Sequence, residues 1–419
     1  MRGQRALVTV CLTGSVLIAS SVLSLADGAA PDSQRLYEEQ KHRNDDLERR
    51  VRLLEEQSTQ EVNVAKADMP EATLSFLKQT EISGLVSASY IYNFNSPTNR
   101  ENTGRGFDRR HNEFMLNKAA LSLDKAVEYD AFAWNAGYTV KLLFGQDARY
   151  TQTDLNLGDD GDLFEANATV NVPVGNGLKV TMGKFGTPMG YEASYTEENY
   201  NWSGGLQWAL VEPFTHTGVK ASYAVNPQWE FEFCAFNGWD IVQDNNNAKS
   251  FMGHVTYTPR EATTVSLIGY GGAEQDDDTS DVRRGVELYV QQKLSPTVTG
   301  VAQFDAGAED AADADGGAAT WWAGGLWLIY EPSERWSVAA RGDYLSDPDG
   351  ARTSGAPSVA PFPENTGMDL YSLTLTLNHK PVKELRIAPE VRWDHSTEAD
   401  TFDGKQDQVT AGMGAAYFF

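Results

Sequence analysis

From residue 81 to the last residue, polar and apolar positions alternate in runs of roughly ten, the period of a β-strand with two different faces. The runs cover 82–94, 113–126, 131–144, 163–172, 178–185, 214–225, 229–241 and 251–258. They continue over 263–271, 284–294, 297–307, 321–330, 336–345, 370–379, 385–395 and 409–419, which makes sixteen. Connections after odd-numbered runs are 9 to 28 residues long, and those after even-numbered runs are 2 to 5. A soluble sandwich has no reason to keep every second connection short. An up-and-down barrel threaded through a membrane from one side has one, with tight turns at one rim and long loops at the other. Gly175-Asn176-Gly177, Asn226-Pro227-Gln228 and Ser295-Pro296 supply turn chemistry at the short connections.

The two faces of the runs differ in kind. Leu385, Ile387, Val391 and Trp393 oppose Arg386, Glu390, Arg392 and Asp394; Tyr371, Leu373, Leu375 and Leu377 oppose Ser372, Thr374, Thr376 and Asn378. Trp229, Phe231 and Phe233 oppose Glu230, Glu232 and Cys234; Val286, Leu288 and Val290 oppose Glu287, Tyr289, Gln291 and Lys293. Burying such charges unpaired is prohibitive, so the polar faces call for water inside a ring and the apolar faces for lipid outside. The fold expected is all-β: a transmembrane antiparallel up-and-down barrel of about 16 strands, wide enough for an aqueous lumen. Its pore lining is expected to hold Lys141, Lys220, Lys293, Arg341, Arg386 and Arg392 against Glu230, Glu232, Glu287, Asp343, Glu390 and Asp394. Pro389 cannot donate to a ladder, so a bulge or distortion is expected there.

Composition agrees. The chain of 419 residues carries 37 Gly, 17 Tyr, 18 Phe and 10 Trp on a polar average, as alternating outward aromatics and inward polar residues require. After the first 26 residues no apolar run is long enough for a membrane helix. A net charge of −25 and a pI near 4.6 exclude a nucleic-acid partner. The two cysteines, Cys11 and Cys234, allow no disulfide framework.

The first 80 residues read differently. Arg2 and Arg5, the mostly apolar stretch from Ala6 to Leu23 and the small residues of Ser24-Leu25-Ala26 form a signal peptide, 1–26, with cleavage near Ala26. Cys11 is too early for a lipoprotein site. Residues 27–80 contain a charged stretch without Gly or Pro from Ser33 to Gln60. There Tyr37, Leu47, Val51 and Leu54 fit a and d positions, interrupted by Gln40 and Asn44. The segment is expected as a short periplasmic helix, either a coiled coil that oligomerises or tethers the protein or a solvated helix without partner. Met69-Pro70 opens a linker, and 81–419 form the barrel domain.

In the last run Val409, Ala411, Met413, Ala415, Tyr417 and Phe419 alternate with Thr410, Gly412, Gly414, Ala416 and Phe418. The closing Tyr417 and Phe419 resemble the assembly signal read by the outer-membrane barrel-assembly machinery. Further segments add to this: Gly84-Leu85-Val86-Ser87-Ala88-Ser89-Tyr90, Phe107-Asp108, and Asn112 through Leu123. Leu143-Phe144-Gly145, Gly183-Lys184-Phe185, Gly190-Tyr191-Glu192 and His216-Thr217-Gly218 follow. In that order these motifs resemble the OmpL-like β-barrel porin family over about residues 82 to 419. The resemblance implies an outer-membrane porin, in contact with outer-membrane lipid; residues 27–80 lie outside it and are expected in the periplasm on their own reading, and a homo-oligomer, a trimer among the choices, is expected. It names no solute.

The longest connection, 186–213, is the third long one, the loop that folds inward in sixteen-stranded porins. It holds Tyr191, Glu192, Tyr195, Glu197, Glu198, Tyr200, Trp202 and Trp208, so an inward course sets acidic and aromatic groups at a constriction. Glu192, Glu197, Glu198, Tyr200 and Trp202 are the constriction candidates. The competing reading is an external loop with no transport role.

Other chemistry is sparse. Asp154, Asn156 and Glu165 match three positions of a calcium loop, but Gly158 and Asp159 break it. Acidic clusters at Asp159, Asp160 and Asp162, at Asp276-Asp277-Asp278 and at Asp310, Asp313 and Asp315 read as solvated loop charge, with loose binding of divalent cations at the outer surface as the alternative. Asp394-His395-Ser396 has the residue types of a catalytic triad, yet neighbours on a strand face opposite ways. His216 and His254 read as lumen or rim residues rather than metal ligands. No catalysis, cofactor or metal is expected. The function expected is passive diffusion of small hydrophilic solutes and ions, with a structural anchor held by the periplasmic helix as the alternative.

Overall fold

The computed structural model describes residues 38, 40–54, 71–151, 160–313, 315–354, 361–363 and 367–419. The expected signal peptide and the ends of the expected coiled coil lie outside the described residues. A helix, α1, covers 40–54, where no Gly or Pro interrupts a charged sequence, and exposes Leu47, Leu53 and Leu54. A second, α2, covers Glu71–Gln79.

Residues 79–419 are a unit of their own, a closed barrel of sixteen antiparallel strands, each paired with its neighbours in sequence. The strands are β1 Glu81–Asn93, β2 Glu113–Lys125, β3 Asn135–Phe144, β4 Gly161–Val172, β5 Leu178–Gly186, β6 Thr215–Asn226, β7 Trp229–Phe236 and β8 Ser250–Arg260. They continue as β9 Thr263–Ala273, β10 Val282–Ser295, β11 Val298–Glu309, β12 Ala319–Ser333, β13 Trp336–Asp347, β14 Met368–Val382, β15 Leu385–Ser396 and β16 Asp407–Phe418. The barrel closes where β1 meets β16, with Leu85 opposite Phe418 and Asn93 opposite Thr410. Gly84 and Phe419 exchange two backbone hydrogen bonds of 2.9 Å at the end of that seam. The Phe419 ring lies on Gly84, where an added Cβ would meet Cζ at 2.6 Å. Closing on an aromatic ring therefore requires the glycine beneath it.

All sixteen expected strands are present, and at three of the boundaries that differ the reason is local. β3 starts at Asn135 rather than 131, because the Asp130 carboxylate accepts from the backbone N–H groups of Phe132 and Ala133 and holds them in a turn. β7 stops at Phe236, and Asp240 folds back to accept from the N–H groups of Phe214 and Thr215. Asp162 is a buried strand residue of β4 bonded to Lys184, not a loop charge. Pro389 produces no bulge: β15 keeps one register on β14 from Ser396 to Ile387, and only the pairs opposite Leu377 and Asn378 are missing.

The outer surface is apolar. Leu326, Leu328, Leu373, Leu375, Val391 and Met413 are exposed, and their neighbours along each strand are buried inside. Toward the long-loop end of β11–β15 an outer row of rings runs Phe304, Trp322, Tyr344, Tyr371, His395, Trp393, with centroids 4.7 to 6.3 Å apart. Toward the short-turn end Trp229 stacks on Tyr257 and Trp336 on His379. Two aromatic rows around an apolar band are the pattern of a strand barrel in lipid.

Candidate pore and its constriction

The connection from β5 to β6, residues 187–214 (L3), runs inside the barrel. Its base closes with the Thr187 N–H donating to the Phe214 carbonyl at 3.0 Å. Between these ends it touches the wall from β10 round to β2. Tyr191 packs on Tyr289 and Trp327. Glu192 accepts from Arg341 of β13 at 2.6 Å, and the Gly205 N–H donates to the same carboxylate at 2.7 Å. A short 3-10 turn, Thr196–Glu198, places Glu197 against Lys118 of β2 at 2.8 Å and Ser87 of β1 at 2.6 Å. The Tyr200 carbonyl accepts from Arg386 at 3.1 Å and from Asn378 at 2.9 Å. The N–H groups of Trp202 and Ser203 donate to Glu390 of β15. One turn of π-helix, Gln207–Val211, then leads back to the wall at β11, where Gln207 donates to Asp305 at 2.5 Å.

The wall is shaped for this loop. On β16 an added Cβ at Gly414 would stand 2.1 Å from the Trp202 indole. A strand glycine weakens a sheet unless something must approach it, and here Trp202 does. Trp202, Ala388 and Ala416 form a small apolar cluster against which Phe418 packs. A larger cluster at the long-loop end combines Leu206, Trp208, Leu210, Val211 and Phe214 of L3 with Phe107 from the β1–β2 loop. Phe362 and Phe402 from the loops before β14 and β16 join it.

All of the expected lining residues sit on inward-facing positions, but in two environments. Arg341, Asp343, Arg392 and Asp394 are covered by L3 and by the β1–β2 loop. Arg341 bonds Glu192, Asp343, the Ser203 carbonyl and Thr374, while Arg392 bonds Asp394 and the Gly204 carbonyl. Asp394 also takes Arg105, which pairs in turn with Asp108. Arg386, Glu390 and Glu287 are likewise held by L3 backbone groups. The expectation of charges wetted around the whole wall therefore does not hold for β13–β15, where loop atoms replace water as the partners. The open side lies at β3–β8. Lys141 pairs with Glu165 at 2.7 Å, Lys220 with Glu232 at 3.6 Å, Glu232 with His254 at 3.0 Å, and Glu230 accepts from Tyr129 at 2.6 Å. Lys293 lies exposed at the short-turn end of β10.

Among the cavities of the barrel, two bear on the path. One of about 430 Å³ is lined by Glu197, Glu198 and Tyr200 of L3 with Glu331, Lys380 and Arg386 among the wall residues. The other, of about 280 Å³, is lined by Lys125, Lys179, Lys220, Glu230 and Glu232. Of the constriction candidates, Glu192, Glu197 and Trp202 are buried anchors, while Glu198 is exposed and Tyr200 half-buried at the first cavity. Two L3-bound groups escaped the sequence reading. Glu212 was passed over within the longest connection, and Lys118 stands on β2, where it shares the inward face with Ala120, Ser122 and Asp124. No sequence signal marks Lys118; a count of L3 carboxylates would have included Glu212. His216 is buried against Phe236 and His254 faces the lumen, as expected of lumen residues. Asp394 points inward and His395 outward onto Asp407, so no relay forms. Of the calcium-loop positions, Asp154, Asn156, Gly158 and Asp159 lie outside the described residues.

Solved barrels resemble this one throughout the described unit. Against an anion-selective porin from Comamonas acidovorans the TM-score is 0.55 at 12% identity, covering 81% of this chain and 99% of that one. Against OprB of Pseudomonas putida it is 0.55 at 12%, covering 83% and 96%. Against OmpF of Salmonella typhi it is 0.57 at 9%, covering 81% and 97%. No curated protein matches the chain in sequence. The family model described as "Putative beta-barrel porin-2, OmpL-like" matches residues 79–419, and with the sixteen-strand barrel behind it the chain belongs to this OmpL-like β-barrel porin family.

Proposed function

We propose that this protein is an outer-membrane porin through which small hydrophilic solutes and ions pass by passive diffusion, with L3 setting the width of the path. The single observation that carries the reading is the course of L3. It crosses the lumen and leaves the polar wall of β3–β8 uncovered, where Lys and Glu side chains pair along the wall. In this reading the barrel lies in lipid with its long loops outward, and the short turns and the N-terminal segment face the periplasm; the apolar exterior with its aromatic rows supports the seat in lipid. Selectivity then follows from the radius and from the charges left uncovered. Phe419, bonded into the closing seam, is the group read by the assembly machinery, and the barrel works as a homo-oligomer. A trimer form of a structurally similar barrel, OmpT of Vibrio cholerae, supports that assembly.

The test is conductance. Purified protein added to a planar bilayer gives discrete, ohmic steps of one size class. A correctly folded protein that stays electrically silent refutes the diffusion reading.

A further inference from the structure

The return of L3 to the wall brings three carboxylates together away from any partner cation. Glu287 of β10 and Asp305 of β11 are register partners on the inward face, and Glu212 of L3 joins them. Oxygens of all three lie within 4.8 Å of one another, and the residues are between 0 and 8% exposed. Gly190 donates its N–H to both Glu287 oxygens at 2.9 Å. Gln303 donates to Glu212 at 2.6 Å and to Asp305 at 3.0 Å, and Gln207 donates to Asp305 at 2.5 Å. Elsewhere around L3 the buried acids Glu192, Glu197, Asp343 and Asp394 each have an Arg or Lys. Among the described residues no ion pair includes Glu212, Glu287 or Asp305.

Two buried oxygens at this place accept nothing: Asp305 Oδ1, and Gln207 Oε1 on the amide that touches Asp305. An orphaned buried acceptor is costly, and one among three buried acids calls for a positive partner. A proton shared between Glu287 and Asp305 would serve that pair alone and leave Gln207 Oε1 without a donor. The backbone keeps room at these oxygens. A Cβ on Gly190, whose φ is +89°, would stand 2.0 Å from Glu212 Oε2, and one on Gly325 would stand 2.2 Å from Gln207 Oε1.

We propose that Glu212, Glu287 and Asp305, with the Gln207 amide oxygen, bind one hard divalent cation, Ca²⁺ or Mg²⁺, that rivets L3 to the barrel wall. The donors are all oxygen and include neither His nor Cys, which suits these ions and not zinc or copper. One ligand comes from the loop and two from the wall, so the ion joins elements that otherwise repel there. Calcium tolerates the irregular, many-oxygen geometry of such a set better than magnesium, which demands a near-ideal octahedron. The site stands whether or not the diffusion reading does.

The experiment uses the full-length mature protein, folded in detergent, stripped with EDTA and dialysed at pH 7.5. Titration with CaCl₂ and with MgCl₂ is followed by calorimetry and by the temperature at which the heat-modifiable barrel unfolds. The expected result is one equivalent bound per barrel with a rise in that temperature, larger for Ca²⁺. Glu212→Gln and Asp305→Asn each weaken binding at least tenfold and abolish the rise. Neutralising Asp276, Asp277 and Asp278 on the outer loop leaves both unchanged. If a substitution blocks folding, the wild-type titration decides alone. A wild type that takes up no ion and gains no thermal stability means shared protons, and overturns the proposal. Binding that survives both inner substitutions but vanishes with the outer triple overturns it as well.

Discussion

Side chain by side chain, the interior is a set of charges whose partners arrive from distant parts of the chain. Arg341 has both an L3 partner, Glu192, and a wall partner, Asp343, with no exposed surface of its own. Removing one member of a buried charge group typically costs about 3–5 kcal/mol, because the others stay buried without compensation. Arg341→Met should therefore release L3 rather than fill the gap quietly. Expected are a lower unfolding temperature and a larger, noisier single-channel conductance; a variant with unchanged conductance would mean L3 is held without this pair. Asp240 behaves differently. It sits in the β7–β8 loop, accepting two backbone N–H groups, and burial pushes its carboxyl up to about 6, from 3.8. Its folded pKa lies above the unfolded one, so the folded state binds the proton more tightly. This residue's contribution is then most favourable in acid and declines as pH rises from about 4 through 6. Asp240→Asn keeps the accepting oxygen and removes the titration. Unfolding temperatures of wild type and variant should diverge between pH 4 and 7, the variant gaining relative to wild type as pH rises, and parallel curves would exclude the effect. Neither Asp240's partners nor Arg341's L3 partner was readable beforehand, since they lie 25 and 26 positions away in the first case and 149 in the second.

Among the elements, strands were legible and their contents were not. Period-two alternation is written in each strand's own residues, so all sixteen could be placed, and the inward parity of Arg386, Glu390, Arg392 and Asp394 followed with them. Missed were the places where a side chain bonds local backbone, as Asp130 does before β3, and the stretch after β7 that leaves the sheet early. The inward course of L3 was anticipated from its length and position. Its effect on the wall was not, because alternation shows which face a charge takes but not whether water or a loop meets it. Helix α1 belongs to the same scale. Leu47 and Leu54 lie exposed on it at heptad spacing, while every residue of the barrel seam lies between Gly84 and Phe419. A chain starting at Glu81 should thus fold, insert and conduct, with an oligomer less resistant to heat than the full-length one. Loss of insertion would make the N-terminal segment part of the folding unit, and an equally resistant oligomer would remove α1 from the interface.

At the scale of the whole molecule the charges are sorted by end. The eight long connections hold 25 acidic and 8 basic residues, and the seven short ones hold 5 acidic and 2 basic. Inside, the linings are nearly balanced. The larger cavity has four acids, Glu197, Glu198, Glu331 and Glu334, facing Arg335, Lys380, Lys383 and Arg386. The smaller has Glu230 and Glu232 against Lys125, Lys179 and Lys220. A balanced wall discriminates little, so the mouth decides, and its field concentrates cations before they enter. That field is screened beyond about 8 Å at physiological salt, so the preference should be modest there and grow as salt is lowered. In a KCl gradient the reversal potential should have the sign of K⁺ selectivity, the opposite of that of the anion-selective Comamonas porin. Within L3 the effect should come from Glu198, which is exposed, and not from Glu192 or Glu197, which are buried and paired with Arg341 and Lys118. Glu198→Gln should move the reversal potential toward zero with stability intact, while Glu192→Gln and Glu197→Gln should lower the unfolding temperature first. A wild type of anion-selective sign would place control in the lysines of β2–β6 instead, and selectivity that ignores salt would remove the mouth from the explanation altogether.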